Sequence, residues 1–209
     1  MKNTYALITG ASSGIGSEIA IELAKKGFNI ILTARREERL ISLAKELKES
    51  YGVETDYVTG DLASPSTPYE IYNFCEEKNY EVEVLVNNAG YGIPEEFHKV
   101  SMEDEEKNIR VLSTSVIALS KIFLPKMLDK KLGKIMIISS VASFAPPSTI
   151  QVLYGPLKTF MNRFSDALNV NYKHKGISST AVCPGYVVTE FHTASGVQDA
   201  MDKVPAFMK

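Results

Sequence analysis

The chain begins with a glycine-rich turn between a predicted strand and a predicted helix. An apolar run at residues 5–8 is typical of a buried strand, and apolar residues at helical spacing over 19–24 indicate a helix. Between them lie Gly10, Gly14 and Gly16. Such a turn directs backbone N–H groups and the positive end of a helix dipole to one point, which favours binding of a diphosphate. A strand–helix turn without a ligand is the alternative.

Each glycine of this turn has a separate expected role. Gly10 would allow the tight turn, Gly14 would let a phosphate approach the backbone, and Gly16 would let the helix pack against the strand. The spacing is Gly-x3-Gly-x-Gly, which differs from the Gly-x-Gly-x-x-Gly of the general dinucleotide fingerprint. Ser12, Ser13 and Ile15 complete the candidate phosphate-binding segment.

The rest of the sequence alternates between strand and helix patterns. This alternation predicts right-handed βαβ units and a doubly wound α/β fold, with one parallel sheet covered by helices on both faces. In such folds, ligands bind at the carboxyl ends of the strands. Predicted strands are 5–8, 28–33, 53–58, 82–86, 134–138 and 177–182; predicted helices after the first are 37–50, 69–78, 103–131 (closed by Gly133) and 154–174.

Bulk properties exclude several functional classes. The 209 residues suit one domain spanning 1–209, and the net charge of -2 without a basic block argues against nucleic-acid binding. We expect no membrane partner, because no apolar run in the sequence reaches the length of a membrane span. The strand pattern starts by about residue 4, which leaves no room for a signal peptide and predicts a cytoplasmic protein. The histidines are scattered and both cysteines lie in apolar contexts, so no metal site is expected.

The pair Tyr154 and Lys158 is the strongest candidate for catalysis. Residues four apart share one face of a helix. A free tyrosine titrates near pH ~10, too high for acid–base work at neutral pH, and a nearby ammonium would lower that pKa. Tyr154 could then move a proton to or from a substrate oxygen. Pro156 lies between the two and is tolerated only in a first helical turn, so the helix should begin close to Tyr154.

Short motifs occur in order along the chain, each at a predicted strand end or helix start: Thr9 to Gly16, Asp61-Leu62, Asn87-Asn88-Ala89-Gly90, Ser139-Ser140, Tyr154-x3-Lys158, and Pro184-Gly185 followed by Thr189. In this ordered set, the chain resembles the short-chain dehydrogenase/reductase family from about residue 4 to about residue 192. The resemblance implies that Ser140, or its neighbour Ser139, binds the substrate oxygen and that Lys158 also binds the nicotinamide ribose. The serine-to-tyrosine gap is fourteen for Ser140, where thirteen is common, and an insertion near Pro146 would explain it.

The resemblance extends to cofactor contacts. Asp61 and Leu62 would contact the adenine ring, although an Asp that caps a helix is the alternative. The segment Asn88, Ala89 and Gly90 would border the cofactor, although stabilisation of a turn could be its main role. Tyr154, Lys158, Pro184, Gly185, Val187 and Thr189 complete the implied cofactor site.

Residues after the second strand predict which nicotinamide cofactor is bound. An NAD-specific site places a carboxylate there to bind the ribose 2′-hydroxyl. This chain instead has Arg35 and Arg36, and guanidinium groups bind phosphate through a planar fork. We therefore predict NADP(H), with Arg35 as the main contact to the 2′-phosphate and Arg36 in support.

Two departures from the family pattern affect the expectations. Many members carry an active-site asparagine thirteen residues before a Pro-x-Met; counting back from Pro125 gives Leu112, and Asn108 one turn earlier is the substitute considered. The sequence also ends some tens of residues earlier than is usual, so a sheet of six or seven strands is expected. Residues 186–209 resemble the substrate lid.

The predicted function is hydride transfer between NADP(H) and a carbonyl or secondary-alcohol substrate. The alternative is a non-catalytic NADP(H) sensor or interaction protein. We expect a homodimer or homotetramer, with apolar residues of the long helix (Val111, Val116, Leu119 and Phe123) available for pairing. The expected substrate pocket is apolar and aromatic, without a charged anchor: Tyr91, Gly92, Ile93, Val141, Ser143, Phe144, Tyr186 and Phe191.

Overall fold

Six parallel strands form one sheet at the centre of the protein. The computed structural model describes residues 4–147, 151–185 and 187. The strands are β1 (Thr4–Thr9), β2 (Asn29–Ala34), β3 (Thr55–Thr59), β4 (Glu81–Asn87), β5 (Gly133–Ile138) and β6 (Ile177–Val182). They pair in the order β3-β2-β1-β4-β5-β6. The predicted doubly wound fold is confirmed, and the strand order reverses between β1 and β4, where such folds bind ligands.

The helices follow the predicted positions with shifts of one or two residues at their ends. The proline in Thr67-Pro68 occupies a first helical turn, so the third helix starts two residues earlier than predicted. The helix after β5 begins at Tyr154, as Pro156 required. The helices are α1 (Gly14–Lys25), α2 (Glu37–Tyr51), α3 (Thr67–Glu77), α4 (Met102–Ile109), α5 (Ser115–Lys130) and α6 (Tyr154–Tyr172).

Alternating residues of the sheet enter two separate cores. Tyr5 and Leu7 of β1 pack towards the core that contains residues of α3, α5 and α6. Ala6 and Ile8 pack towards the opposite core, which contains residues of α1 and α2. Because both faces of the sheet are covered, the β1 strand is apolar at every position from Tyr5 to Ile8. The polar ends of the strands are therefore the places where the sheet can present chemistry.

The long helix between β4 and β5 differs from the prediction in two ways. A π-helical stretch, Arg110–Thr114, separates α4 from α5. The helix ends at Lys131, which adopts a left-handed conformation (φ 52°), and Gly133 opens β5 instead of closing the helix. A Cβ atom on Gly133 would lie 2.7 Å from Met127 Cβ, so this glycine allows close packing between α5 and β5.

The same helix changes two further expectations. Residues Met102–Lys130 form a helix long and apolar enough, by length and composition, to cross a membrane, contrary to our reading of the sequence. Within the 18-residue stretch of this helix that is apolar enough, 44% is buried inside the protein. The core helix of a soluble protein can meet the same criterion of length and composition. The residues expected to be available for subunit pairing are buried in the core and cannot form that surface: Val111, Val116, Leu119 and Phe123.

Candidate active site

The glycine turn has the backbone geometry that its sequence predicts. Gly10 and Gly14 adopt positive φ angles of 66° and 60°, which residues with a side chain rarely adopt. A Cβ on Gly16 would lie 2.4 Å from the Gly10 carbonyl oxygen and 2.5 Å from the Asn88 side chain. Gly16 is thus required by contacts with the turn itself and with the loop after β4. Gly10 directly follows β1, so these contacts are compatible with the predicted packing of α1 against the strand.

The N-terminus of α1 offers hydrogen-bond donors to a ligand. Ser13 is the N-cap residue, but its side chain makes no capping hydrogen bond, and the first turn, which includes Ile15, contains no acidic residue. The first backbone N–H groups of a helix need partners from outside the helix. The turn can therefore provide both N–H donors and a favourable dipole to a diphosphate.

Arg36 lies against the serines of this turn. Its Nη2 donates hydrogen bonds to Ser12 Oγ (2.9 Å) and Ser13 Oγ (2.6 Å). Arg35 is also exposed at the end of β2; burial raises the pKa of Tyr91, and the charge of Arg35 opposes part of that shift. Arg36 thus lies at the turn, and Arg35 directly precedes Arg36 in the chain. The sequence predicted the pair but not the contact of Arg36 with the serines.

The loop after β4 is bound tightly to the glycine turn. The Asn88 side chain donates to the carbonyl oxygens of Thr9 (2.9 Å) and Gly10 (3.2 Å). Thr9 Oγ1 accepts hydrogen bonds from the backbone N–H groups of Asn88 (2.9 Å) and Ala89 (3.0 Å). These contacts support a stabilising role for Asn88, one of the two readings of its sequence. They also fix the gap between β1 and β4 in which the fold binds ligands.

Asp61 and Leu62 lie beyond the end of β3 rather than within the strand. Asp61 Oδ1 accepts a hydrogen bond from the Ala63 backbone N–H at 3.0 Å, so this carboxylate stabilises its own turn. Leu62 is buried in the core shared with α3 and α5. Both residues remain at the carboxyl edge of the sheet, and their predicted contact with adenine stays a prediction.

Tyr154 and Lys158 lie on the same face of α6, as predicted. Lys158 Nζ is 5.5 Å from the centre of the Tyr154 ring and donates a hydrogen bond to the Ile138 carbonyl oxygen at 2.7 Å. Lys158 is 4% exposed, so its ammonium is enclosed by protein. The lysine therefore lies under the tyrosine ring and is attached to the end of β5.

Burial, rather than mutual attraction, controls the pKa values of this pair. Burial raises the pKa of Tyr154 above its ordinary value of 10.0, and the hydrogen bond with Ser140 offsets this in part. Burial lowers the pKa of Lys158 to about 7. The predicted lowering of the Tyr154 pKa by Lys158 is not found, because desolvation of the phenol outweighs the opposing effect of the Ser140 hydrogen bond.

The two serines at the end of β5 have different surroundings. Ser139 is 2% exposed, and its hydroxyl donates to the Lys158 carbonyl oxygen at 2.9 Å. Ser140 forms a hydrogen bond with the Tyr154 side chain, and its Oγ accepts from the Ala142 backbone N–H at 3.1 Å. Of the two, Ser140 is the hydroxyl placed beside the phenol, and Ser139 holds α6 against the sheet.

Leu112, an apolar residue, occupies the position at which many family members carry an active-site asparagine. Leu112 is fully buried in the π-helical stretch, and a Cβ on Gly90 would lie 2.7 Å from Leu112 Cδ2 and 3.7 Å from Lys158 Nζ. Asn108 is 3% exposed, and its side chain donates to the Tyr91 carbonyl oxygen at 3.0 Å. Leu112 therefore lies near the lysine, whereas the Asn108 amide is used to hold the loop after β4.

A pocket lies beside Tyr154, and its lining differs from the predicted one. The predicted residues Val141 and Phe144 are 45% and 75% exposed, and Tyr186 and Phe191 lie outside the described residues. Two carboxylates line this pocket, whereas the predicted lining had no charged group. Periodicity could have revealed one of them, because Glu105 lies three residues before Asn108 on the same helix face. The lining residues are Ile93, Glu95, Glu105, Asn108, Gln151, Val152, Leu153 and Tyr154.

The loop after β6 approaches the same edge of the sheet. The Pro184 carbonyl oxygen accepts a hydrogen bond from the Val141 backbone N–H at 3.0 Å, and Gly185 follows directly. Val187, which is among the described residues, is 38% exposed. Thr189 and, apart from Val187, the lid segment predicted at 186–209 lie outside the described residues.

Comparison with known proteins places these features in a family. A family profile for short chain dehydrogenase matches residues 4–199. The chain is 38% identical over 195 residues to very-long-chain 3-oxoacyl-CoA reductase of Anas platyrhynchos, covering 91% of this chain and 62% of that relative. It is 36% identical over 198 residues to inactive hydroxysteroid dehydrogenase-like protein 1 of Homo sapiens, covering 91% of this chain and 58% of that relative.

A solved structure shows the same relationship. A short-chain dehydrogenase from Sphingobium yanoikuyae in complex with NADPH matches with a TM-score of 0.89 and 32% identity, over 97% of this chain and 77% of that one. The chain spans about three-fifths of the length of the curated relatives that it matches. The extent of the family match and these identities show that the chain belongs to the short-chain dehydrogenase/reductase family.

Proposed function

We propose that this protein is an NADP(H)-dependent oxidoreductase that interconverts a carbonyl compound and its alcohol. The observation that carries the proposal is the meeting of Ser140, Tyr154 and Lys158 at the carboxyl edge of the sheet, next to the glycine turn. A hydrogen-bonded serine and tyrosine beside a buried amine form a group that can bind an oxygen atom and exchange a proton with it. The family relationship supports the same conclusion.

The residues present fit a dinucleotide phosphate. A Cβ on Gly16 would collide with the turn, and the side chain of Ser13 leaves the first N–H groups of α1 without a cap, so the turn suits a diphosphate. Arg35 and Arg36 provide guanidinium groups for a 2′-phosphate, and Ser12 and Ser13 lie beside Arg36. These features, together with a relative described in complex with NADPH, support NADP(H) as the cofactor.

Each residue of the site then has a separate role in carbonyl reduction. NADPH, when bound in the site formed by the glycine turn and the arginines, would supply a hydride to the carbonyl carbon. Ser140 donates a hydrogen bond to the carbonyl oxygen, and Tyr154 gives its phenolic proton to that oxygen, so that the carbonyl becomes a hydroxyl. Lys158, held by Ile138, positions the nicotinamide ribose. Because burial raises the pKa of Tyr154, the phenol is protonated at neutral pH, which favours its action as an acid in the direction of reduction.

The test is carbonyl-dependent oxidation of NADPH by the purified protein, with a panel of aromatic and aliphatic ketones and aldehydes. Tyr154→Phe removes the proton donor and keeps the ring over Lys158. We expect turnover to fall by at least about 10²-fold, while NADPH binding is retained. Tyr69→Phe, at an exposed tyrosine of α3, is the matched control. Equal activity of Tyr154→Phe and the unchanged protein would refute the assignment.

A non-catalytic NADP(H)-binding protein is the second candidate. Two observations favour it: an apolar Leu112 lies near Lys158 in place of a side chain that could relay a proton, and one relative carries the name of an inactive hydroxysteroid dehydrogenase-like protein. This candidate predicts that NADPH binds but no member of the carbonyl panel is reduced. Such a result, with binding abolished by Gly16→Ala, would favour it over the enzyme.

A further inference from the structure

Glu105 differs from the other acidic residues of its helix. It is 7% exposed, whereas its neighbours in the acidic run, Glu103, Asp104 and Glu106, are exposed to solvent. Glu105 shares the buried face of α4 with Asn108, one turn further along. An isolated carboxylate on such a face is unusual, because transfer of a charged group from water into protein costs free energy unless it is paired.

Within the described parts of the chain, no donor or cation is paired with the Glu105 carboxyl group. The other acids nearby have partners: Asp104 Oδ2 accepts a hydrogen bond from Ser101 Oγ at 2.7 Å, and Glu95 forms an ion pair with Lys99 at 3.9 Å. Burial, with a smaller contribution from Asp104, raises the pKa of the Glu105 carboxyl. The Glu105 carboxylate oxygens are not among the fully buried polar atoms that lack a partner, so they reach the pocket or solvent and can accept a hydrogen bond from a ligand.

Glu105 lies in a pocket together with the proposed proton donor, Tyr154. Glu105 and Tyr154 line the same pocket, which Gln151 borders from the loop before α6. Asn108 also lines it, but its amide nitrogen donates to the Tyr91 carbonyl oxygen. Glu105, most of whose side chain is buried, thus contributes a carboxylate to the pocket where, under the proposed function, a substrate is reduced.

We propose that Glu105 determines substrate specificity by accepting a hydrogen bond from a hydroxyl or ammonium group of the substrate, at a point away from the carbonyl that Tyr154 serves. The preferred substrates are then hydroxylated or amino ketones and aldehydes, and substrates with a carboxylate in that position are disfavoured. Both effects follow from one carboxyl group, which attracts donors and repels anions. The proposal rests on the proposed function of the same site.

The test uses aromatic ketones that differ in one substituent: acetophenone and its para-hydroxymethyl, para-aminomethyl and para-carboxylate derivatives. With NADPH, we expect kcat/KM to be highest for the aminomethyl ketone and lowest for the carboxylate. Glu105→Gln, which keeps the shape and removes the charge, should reduce the ratio between these two by at least about tenfold. Glu106→Gln, the exposed neighbour on the same helix, should leave the ratio unchanged.

A binding measurement separates this proposal from the proposed function. Calorimetric titration of the aminomethyl and carboxylate ketones into the protein saturated with NADP⁺ reports the preference without turnover. If no ketone is reduced but Glu105→Gln still abolishes the binding preference, the proposed function fails and the role of Glu105 stands. An unchanged preference in Glu105→Gln would overturn the role of Glu105 even where turnover is normal.

A second variant covers the case in which Glu105→Gln does not fold. Glu105→Asp keeps the charge on a shorter side chain, and urea denaturation would establish that it is folded. We expect it to retain the preference for the aminomethyl ketone. Loss of that preference in folded Glu105→Asp, equal to its loss in Glu105→Gln, would contradict a role for the charge.

Discussion

Lys158 lies beneath the Tyr154 ring, with its Nζ 5.5 Å from the ring centre, while it donates a 2.7 Å hydrogen bond to the Ile138 carbonyl oxygen. This arrangement connects the proton donor of the site to the end of a central strand through one buried amine. The amine is enclosed in a low-dielectric environment that favours its neutral form. Its charge is therefore linked to the stability of the fold as well as to the proposed chemistry.

We expect the stability of the protein to rise with pH in the neutral to mildly alkaline range. Burial lowers the pKa of Lys158 from 10.5 to about 7, so above about pH 7 the unfolded chain binds a proton that the folded chain does not. The free energy of unfolding should then increase by about 1 kcal/mol per pH unit from this residue. Urea denaturation between about pH 7 and pH 8.5 measures the slope.

Lys158→Met is the matched variant for this measurement, because it keeps the length of the side chain and removes the titrating group. Its slope should be flatter than that of the unchanged protein by about 1 kcal/mol per pH unit. The chosen range stays below the ordinary pKa values of Cys75 and Tyr5, both of which burial raises and which would reduce stability at higher pH. Identical slopes for the two proteins would contradict a buried, neutral lysine.

Substitution of Ser139 should affect mainly the stability of the protein, whereas substitution of Ser140 should affect mainly its activity. Ser139→Ala removes a buried donor to the Lys158 carbonyl oxygen and should lower the free energy of unfolding by about 1–3 kcal/mol. Ser140→Ala should leave stability within about 1 kcal/mol and lower kcat for carbonyl reduction, because it removes the hydroxyl beside Tyr154. Denaturation and steady-state kinetics on both variants check the division. The reverse pattern would make Ser139 the residue that binds the substrate.

Much of the fold was predictable from the sequence because its elements are marked by strong local patterns. Continuous apolar runs marked the strands that are buried on both faces, and Pro156 fixed the start of α6 at Tyr154. The end of the long helix was not predictable in the same way. Lys131 adopts a left-handed conformation that usually favours glycine, while the nearby Gly133 is required by packing against Met127.

The candidate site was predictable where chemistry requires particular residues and unpredictable where burial decides. The glycines, Tyr154 and Lys158 were identifiable as motifs. The pKa values of Tyr154 and Lys158 shift in directions that are set by desolvation, and the spacing of the two residues in the sequence does not reveal how deeply each is buried. The burial of Glu105 was not predicted because it lies in an acidic run whose other members are exposed, although its spacing from Asn108 indicates the same helix face.

Gly16→Ala should weaken both the fold and cofactor binding. The added methyl group would lie 2.4 Å from the Gly10 carbonyl oxygen, so the turn that binds the diphosphate must move. We expect a loss of about 1–3 kcal/mol in the free energy of unfolding and at least about tenfold weaker NADPH binding. Gly185→Ala is the stability control, because a Cβ there would meet no atom of the described residues within 4 Å. Equal destabilisation by both substitutions would refute the steric argument.

Arg35 and Arg36 should both contribute to the preference for NADPH over NADH, but in different ways. Arg35→Ala removes a guanidinium group available to the 2′-phosphate and should lower the NADPH/NADH affinity ratio by about tenfold without affecting NADH. Arg36→Ala also removes the hydrogen bonds to Ser12 and Ser13, so it should weaken binding of both cofactors in addition to lowering the ratio. Titration of each variant with both cofactors distinguishes the two roles. An unchanged ratio in Arg35→Ala with a reduced ratio in Arg36→Ala would show that Arg36 is the main contact, because it is the guanidinium held at the phosphate-binding turn.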